Sequence, residues 1–305
     1  AVVASTVDTF TGTAGNDTYI VDNTLDKVVE AVNSGIDTIN SSVDFNLLYN
    51  GANVENLTLT GLLNINADGN GLDNVLRGND ANNNFDGRGG IDTAYGGKGD
   101  DTYYDIDFAI EYVNEGFDTV YFGNLPGGYL LPSNIEKLVV NSSWVDNSGA
   151  SYIYSGNELD NIIEVTAINA VINGGLGADT MVYKGTSSIK FIVDNVGDQI
   201  ILTGSPTWSY VDTSLSNYIL PSNIQNLTST SATILNFTGN AKNNIIDVTT
   251  ALTGSVVAGL DGDDTYILGN NYAGITINES ATGGSDTVEF TSINGVFSMP
   301  SNVET

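Results

Sequence analysis

The sequence predicts an all-β chain wound as a right-handed parallel β-solenoid, a β-roll or β-helix with glycine-rich turns. Three observations predict it. Residues 69–104 divide into four consecutive nonapeptides, GNGLDNVLR, GNDANNNFD, GRGGIDTAY and GGKGDDTYY. A longer cycle of about 80 to 90 residues runs through the 305-residue chain. Each cycle carries a short period-two segment such as Val54-Glu55-Asn56-Leu57-Thr58-Leu59-Thr60. A nine-residue period is too long for a helical turn and too regular for a loop. It is the spacing of a loop-plus-strand unit that stacks on copies of itself.

In each of the four copies the first residue is Gly, the sixth is Asn74, Asn83, Asp92 or Asp101, and the eighth is Leu76, Phe85, Ala94 or Tyr103. A tight six-residue turn needs positions with positive φ, which Gly supplies without steric cost. The eighth residue points inward and forms the apolar spine of a narrow coil. Sixth-place side chains two nonapeptides apart then lie one above another, Asn74 under Asp92 and Asn83 under Asp101. Stacked carboxylates repel unless a cation lies between them, and a hard divalent ion held by carboxylate and carbonyl oxygens meets that need.

The segment from Gly96 to Tyr104 matches every place of the pattern GGxGxDxUx, and the array resembles the calcium-binding RTX nonapeptides of secreted bacterial proteins. The resemblance implies a parallel β-roll with Ca²⁺ between successive turns. The ions would be held by sixth-place residues such as Asp92 and Asp101 and by loop carbonyls, with Gly97, Gly99 and Asp100 in the binding loop.

Eight Lys and Arg against 37 Asp and Glu give a net charge of −29, which argues against nucleic acid or an anionic membrane as partner and for cations. Such self-repulsion leaves an ion-free chain expanded, so ion binding and folding are expected to be one event. No Cys is present, so no disulfide staples the fold. Calcium sites of the extracellular kind, with Kd on the order of 10⁻⁴ to 10⁻³ M, are filled outside the cell and not in cytosol. The expected location is therefore extracellular or the bacterial cell surface. No apolar run reaches bilayer length, and the opening AVVASTVDTF lacks the charged and apolar regions of a signal peptide.

Taken in order, residues 3–29 read as three further nonapeptides with Asp8, Asp17 and Asp26 at the sixth place and Phe10, Tyr19 and Val28 at the eighth. Glu30 follows, and Asp37 then sits two residues late for a regular turn. The Glu30/Asp37 pair recurs as Glu111/Asp118 and Glu279/Asp286, while another cycle keeps only Asp198. A solvated strand edge plus a turn Asp is the simpler reading of these pairs, with Asp37, Asp118 and Asp286 as further candidate ligands. The strand mark Val54-Glu55-Asn56-Leu57 recurs at Ile135, Ile224 and Val303, at intervals of 81, 89 and 79 residues, and its Glu is expected to face water. A turn mark Pro-Ser-Asn precedes the last three copies.

Further nonapeptide patches lie at residues 156–182 and 239–267, placing Asn161 before Asp179 and Asn244 before Asp264. An Asn halves the local charge, so those sites are expected to bind more weakly or to form amide ladders without metal. The polar stretches 141–155 and 228–240 keep apolar punctuation at Tyr152, Tyr154, Ile234 and Phe237 and read as solenoid turns. One continuous solenoid over residues 1–305 is expected, cut from a longer array because both ends fall inside a cycle.

With no His and no Cys, Ser-His-Asp, Cys-His and the usual zinc arrangements cannot be built. The basic residues are scattered, and two of them, Arg88 and Lys98, lie in the metal loops, so no catalytic residue is expected. Trp144, Trp208, Tyr210, Tyr152 and Tyr154 could stack on a sugar, which makes polysaccharide a weaker partner class. The expected function is a calcium-stabilised structural segment of a large secreted bacterial protein, such as a surface layer, filament or adhesin stalk, associating end to end with its neighbours. The alternatives are the secretion-and-folding module of a hydrolase or toxin whose catalytic domain lies outside this chain, and a polysaccharide-acting β-helix enzyme.

Overall fold

The computed structural model describes residues 5–123, 127–141, 151–291 and 297–305. Its strands are two to five residues long, and the recorded pairings within each compact unit are parallel. A parallel neighbour can be reached only by a crossover. Here the crossover is the rest of one coil, so each strand pairs with the strand one full turn later. The chain is thus a parallel β-solenoid, in two compact units, Ala1–Leu125 with Leu130–Ser142 and Pro126–Tyr129 with Ser143–Thr305.

In the first unit, one stack runs Thr18–Val21, Thr38–Ser41, Asn56–Leu59, Val75–Arg77, Thr93–Tyr95 and Phe108–Ile110. Facing it runs Phe45–Asn46, Asn66–Asp68, Asn84–Asp86, Thr102–Tyr104, Thr119–Phe122 and Lys137–Val140. Alternate nonapeptides therefore go to alternate stacks, and two make one coil. Coil length is elastic: Ala94 pairs with Ala109 and Phe45 with Ala67, 15 and 22 residues apart. The added residues fall in the turns, as in the one-turn helix Leu47–Asn50, whose Asn46 side chain caps Tyr49 N–H.

One side of each strand faces inward, which is why strands of parallel sheet keep a period of two here. Register puts Tyr19, Ile39, Leu57, Leu76, Ala94 and Ala109 in one column, and Phe45, Ala67, Phe85, Tyr103, Val120 and Leu138 in the other. All twelve are buried, so the eighth place is the spine that the sequence predicts. The second unit repeats the plan, with Tyr154, Ile172, Phe191, Val211, Leu227, Ile246, Tyr266 and Val288 in one buried column. Of the polar stretches, residues 142–150, with Trp144, lie outside the described residues. Tyr152 and Tyr154 lie on the strand Tyr152–Ser155, and Phe237 is buried on Asn236–Thr238, whereas Ile234 is exposed.

Candidate metal centres

Ahead of many strands a polar residue donates its backbone N–H to the side chain of its counterpart one coil on. In the first unit the backbone N–H of Asp17 donates to Asp37 Oδ1 (2.8 Å), that of Asp37 to Glu55 Oε2 (2.9 Å), and that of Asn74 to Asp92 Oδ1 (2.8 Å). The facing stack continues the rule from Asn83 to Asp101, Asp118 and Glu136. In the second unit it runs from Asn161 to Asp179 and Asp198, and from Asn244 to Asp264, Asp286 and Glu304. Stacked carboxylates are thus partly relieved by the backbone, each taking one charge-assisted hydrogen bond from the coil before. The Glu of the strand mark belongs to this ladder. The expectation that Glu55 and Glu136 simply face water is corrected, because the longer side chain reaches down to an N–H that an Asp serves elsewhere.

The second carboxylate oxygen is the anomaly. Asp37, Asp92, Asp101, Asp118, Asp179, Asp264 and Asp286 each bury an Oδ2, and Glu111 and Glu279 an Oε2, with no hydrogen-bond donor. A buried unpaired carboxylate oxygen is costly, and the charged form answers by taking up a proton or a cation. Burial accordingly pushes the carboxyls of Asp92 and Asp179 up to about 6, those of Asp101, Asp118 and Asp264 up to about 7, and that of Glu111 up to about 8, against the pull of the backbone or tyrosine hydrogen bond each accepts. Burial also raises Glu279 and Asp286.

All of these residues but Asp92 and Asp179 belong to one of three carboxylate clusters among the described residues. Asp17, Glu30 and Asp37 form one cluster, Asp101, Glu111 and Asp118 a second, and Asp264, Glu279 and Asp286 a third, with one carboxylate oxygen of each residue within 4.8 Å of the others. All three share a plan. The first Asp is the sixth place of a nonapeptide whose eighth-place Tyr donates its hydroxyl to the Glu: Tyr19 to Glu30, Tyr103 to Glu111, Tyr266 to Glu279. The Glu carbonyl is held by an Asn side chain 23 residues on, Asn53, Asn134 or Asn302, at 2.8 to 2.9 Å. Asn134 and Asn302 are the Asn of the turn mark, so that mark anchors the Glu. Register explains how the Glu arrives. Tyr95 pairs with Ile110 and Thr11 with Val29, so Glu111 and Glu30 stand one coil beyond Gly96 and Gly12 and fill the space those glycines leave.

The solvated-edge reading of the Glu/Asp pairs is therefore corrected. Glu30 is 8% and Glu111 4% exposed, and Asp37, Asp118 and Asp286 are buried. The sequence signal was available: Asp-x-Tyr in a nonapeptide, then Glu, then Asp seven residues later.

Other candidate residues differ in setting. Asp26 is buried with both oxygens engaged, Oδ1 by Asp8 N–H and Oδ2 by Asp22 and Asn23 N–H, while Asp8 is exposed. Asp17 Oδ2 accepts the Thr13 N–H and hydroxyl, which holds its carboxyl below the usual range. Asp100 is exposed, and its Oδ1 accepts Phe117 N–H. It belongs to an outer ladder of fifth-place residues, with Asn16, Asp73, Asn82, Asp160, Asn243 and Asp263, in which the N–H donates down the stack instead of up. Gly97 and Gly99 shape the turn, at φ 92° and 116°. At Asn74, Asn83 and Asn244 the amide Nδ2 donates to backbone carbonyls of the preceding coil, so a donor occupies the side-chain position that is an unpaired oxygen in the Asp copies.

The cations Arg88 and Lys98 stand outside, Arg88 bridging Asp68 and Asp86 at 3.0 and 3.1 Å and Lys98 meeting Asp80 at 2.7 Å. Exposed pairs of this kind contribute little. Lys98→Ala is expected to change the unfolding free energy by less than about 1 kcal/mol in urea titrations, with or without calcium.

No protein-family profile matches the chain, and no curated protein matches it.

Proposed function

We propose that this chain is a non-enzymatic, calcium-stabilised structural segment of a large secreted bacterial surface protein, with nonapeptides of the RTX type. The observation that carries this reading is the set of nine buried carboxylate oxygens without a donor among the described residues. Oxygen-only donor sets suit hard cations, and a chain without His or Cys lacks the usual ligands of softer metals. Mg²⁺ dehydrates reluctantly and prefers sites that keep several waters; Ca²⁺ accepts buried, irregular oxygen sets. A chain with net charge −29 is loosened by its own repulsion where calcium is scarce and holds its stacked coils firmly outside the cell, where the ion neutralises them. Stacked coils then make a stiff spacer that can associate end to end with neighbouring repeats.

Circular dichroism during chelation and calcium titration tests this. The expected result is a weakened β-signal and a lower melting temperature with chelator, both restored in millimolar calcium. An unchanged spectrum and melting temperature after complete chelation would sink the proposal. Ordered end-to-end assemblies seen by electron microscopy only with calcium are the expected sign of the surface role.

A further inference from the structure

We infer that the tightest ions occupy composite centres in which a glutamate from outside the nonapeptides is a ligand: Asp101, Glu111 and Asp118 in the first unit, Asp264, Glu279 and Asp286 in the second. The inference rests on the calcium reading and goes beyond it, because nonapeptide stacking alone assigns ions to sixth-place residues wherever they pile up.

Each centre is built from two pieces. One is the GGxGxD-like turn, residues 96–101 or 259–264. The other is an eight-residue loop that begins with the Glu and ends with the Asp, EYVNEGFD at 111–118 and ESATGGSD at 279–286. The loop docks on the turn through the backbone, Gly99 N–H to Glu115 O at 2.8 Å and Gly262 N–H to Gly283 O at 2.5 Å. It occupies the place of a six-residue turn but starts with Glu where a nonapeptide has Gly, and its two added residues deliver the closing Asp into the ladder.

Six residues thus present six unpaired buried oxygens: Asp101 Oδ2, Glu111 Oε2 and Asp118 Oδ2 in one centre, Asp264 Oδ2, Glu279 Oε2 and Asp286 Oδ2 in the other. Oxygens that share one Ca²⁺ at 2.3–2.6 Å lie no more than about 5 Å apart, and in each centre one carboxylate oxygen of every residue lies within 4.8 Å of the others. Each remaining oxygen of the Asp residues is committed to a backbone N–H, and Glu Oε1 to the tyrosine hydroxyl. The tyrosine is a positioning residue that turns Oε2 toward the two Asp.

At Asp92 and Asp179 a single orphan oxygen remains: the carboxylates one coil on, Asp107 and Asp198, are not buried, and no Glu is added. The centre of Asp17, Glu30 and Asp37 is intermediate. Ser34 Oγ donates to Glu30 Oε2 and Thr13 to Asp17 Oδ2, leaving Asp37 Oδ2 as its one orphan. It ranks below the other two.

Equilibrium dialysis with calcium at low micromolar to millimolar free concentration separates the possibilities, using the whole chain and the variants Glu111→Gln, Glu279→Gln and Asp92→Asn. A glutamine keeps the Oε1 acceptor for the tyrosine and places an amide donor at the other end, as the Asn copies do, so both Gln variants fold. In chelator they are expected to melt no lower than the parent chain. Each Gln variant is expected to lose one ion from the tightest class, the double variant two, and Asp92→Asn none. Retention of every tight ion in both Gln variants, with loss of one in Asp92→Asn, would overturn the composite centres while leaving calcium binding intact. Absence of any bound calcium in the parent chain would instead remove the reading on which they rest.

Discussion

Without divalent ions, the folded chain is expected to be most stable near about pH 4 and to lose stability steadily toward about pH 8, the reverse of ordinary acid denaturation. A free Asp or Glu ionises near about pH 4. In the folded chain burial holds Asp101, Asp118 and Asp264 protonated up to about pH 7 and Glu111 up to about pH 8. Between those limits the folded state binds more protons than the unfolded one, so stability falls with rising pH. The contribution is complete below the unfolded value and gone above the folded one. Several carboxyls act together, and after discounting for solvent screening a drop in apparent Tm of about 5–10 °C is expected over this window. Calcium binds the ionised form, so in millimolar calcium the slope inverts and stability rises through the same range. Calcium binding near pH 6.5 should also release protons, seen as a buffer-dependent heat in titration calorimetry. A melting temperature that rises with pH in chelator would show that these carboxyls ionise freely in the fold.

The ease with which the fold is read from sequence and the difficulty of reading the centres have one cause. The inward column depends on one residue in nine, Leu76, Phe85, Ala94, Tyr103, and any apolar side chain satisfies it, so period alone reveals it. The sixth-place ladder is also legible, because Asn74 under Asp92 and Asn83 under Asp101 follow from two nonapeptides to a coil. The glutamates are harder because the segment between Tyr and Glu varies. Glu30 lies 11 residues after Tyr19, Glu111 8 after Tyr103, and Glu279 13 after Tyr266. A solenoid absorbs such differences in its turns, so positions that coincide in space drift in sequence. The tyrosines were legible as spine but not as hydroxyl donors, since burial accounts for a ring and says nothing of its oxygen. The backbone's share in the ladder was hidden as well, because N–H groups carry no sequence signal.

Alanine in place of single glycines is expected to divide them into three classes, and the largest effects fall at first-place residues that do not need positive φ. Gly96 and Gly259 have φ outside the left-handed region, yet a Cβ on Gly96 would run into Asp101 Oδ2, Glu111 Oε1 and the Tyr103 hydroxyl, and one on Gly259 into Asp264 and Tyr266. The position is glycine because the sixth-place carboxylate lies where a side chain would begin. Filling that space in a packed interior is expected to cost about 3 kcal/mol or more. Because the obstruction is made of the proposed ligands themselves, Gly96→Ala should also remove most of the stability gained on adding calcium. Gly87 is different in kind, since its Cβ would strike the backbone carbonyl of Asp105 on the next coil as well as Asp92 Oδ2 at 2.5 Å. Backbone cannot step aside, so Gly87→Ala should destabilise with and without the ion. Gly71 supplies the contrast: nothing lies within 4 Å of its Cβ position and its φ is not in the left-handed region. Gly71→Ala is expected to be neutral or to stabilise by about 0.4–1 kcal/mol, through the narrower freedom of the unfolded chain. Urea unfolding of the three variants in calcium and in chelator measures all of these differences. Equal calcium gains in Gly96→Ala and the parent chain would show that the ion does not sit against Gly96.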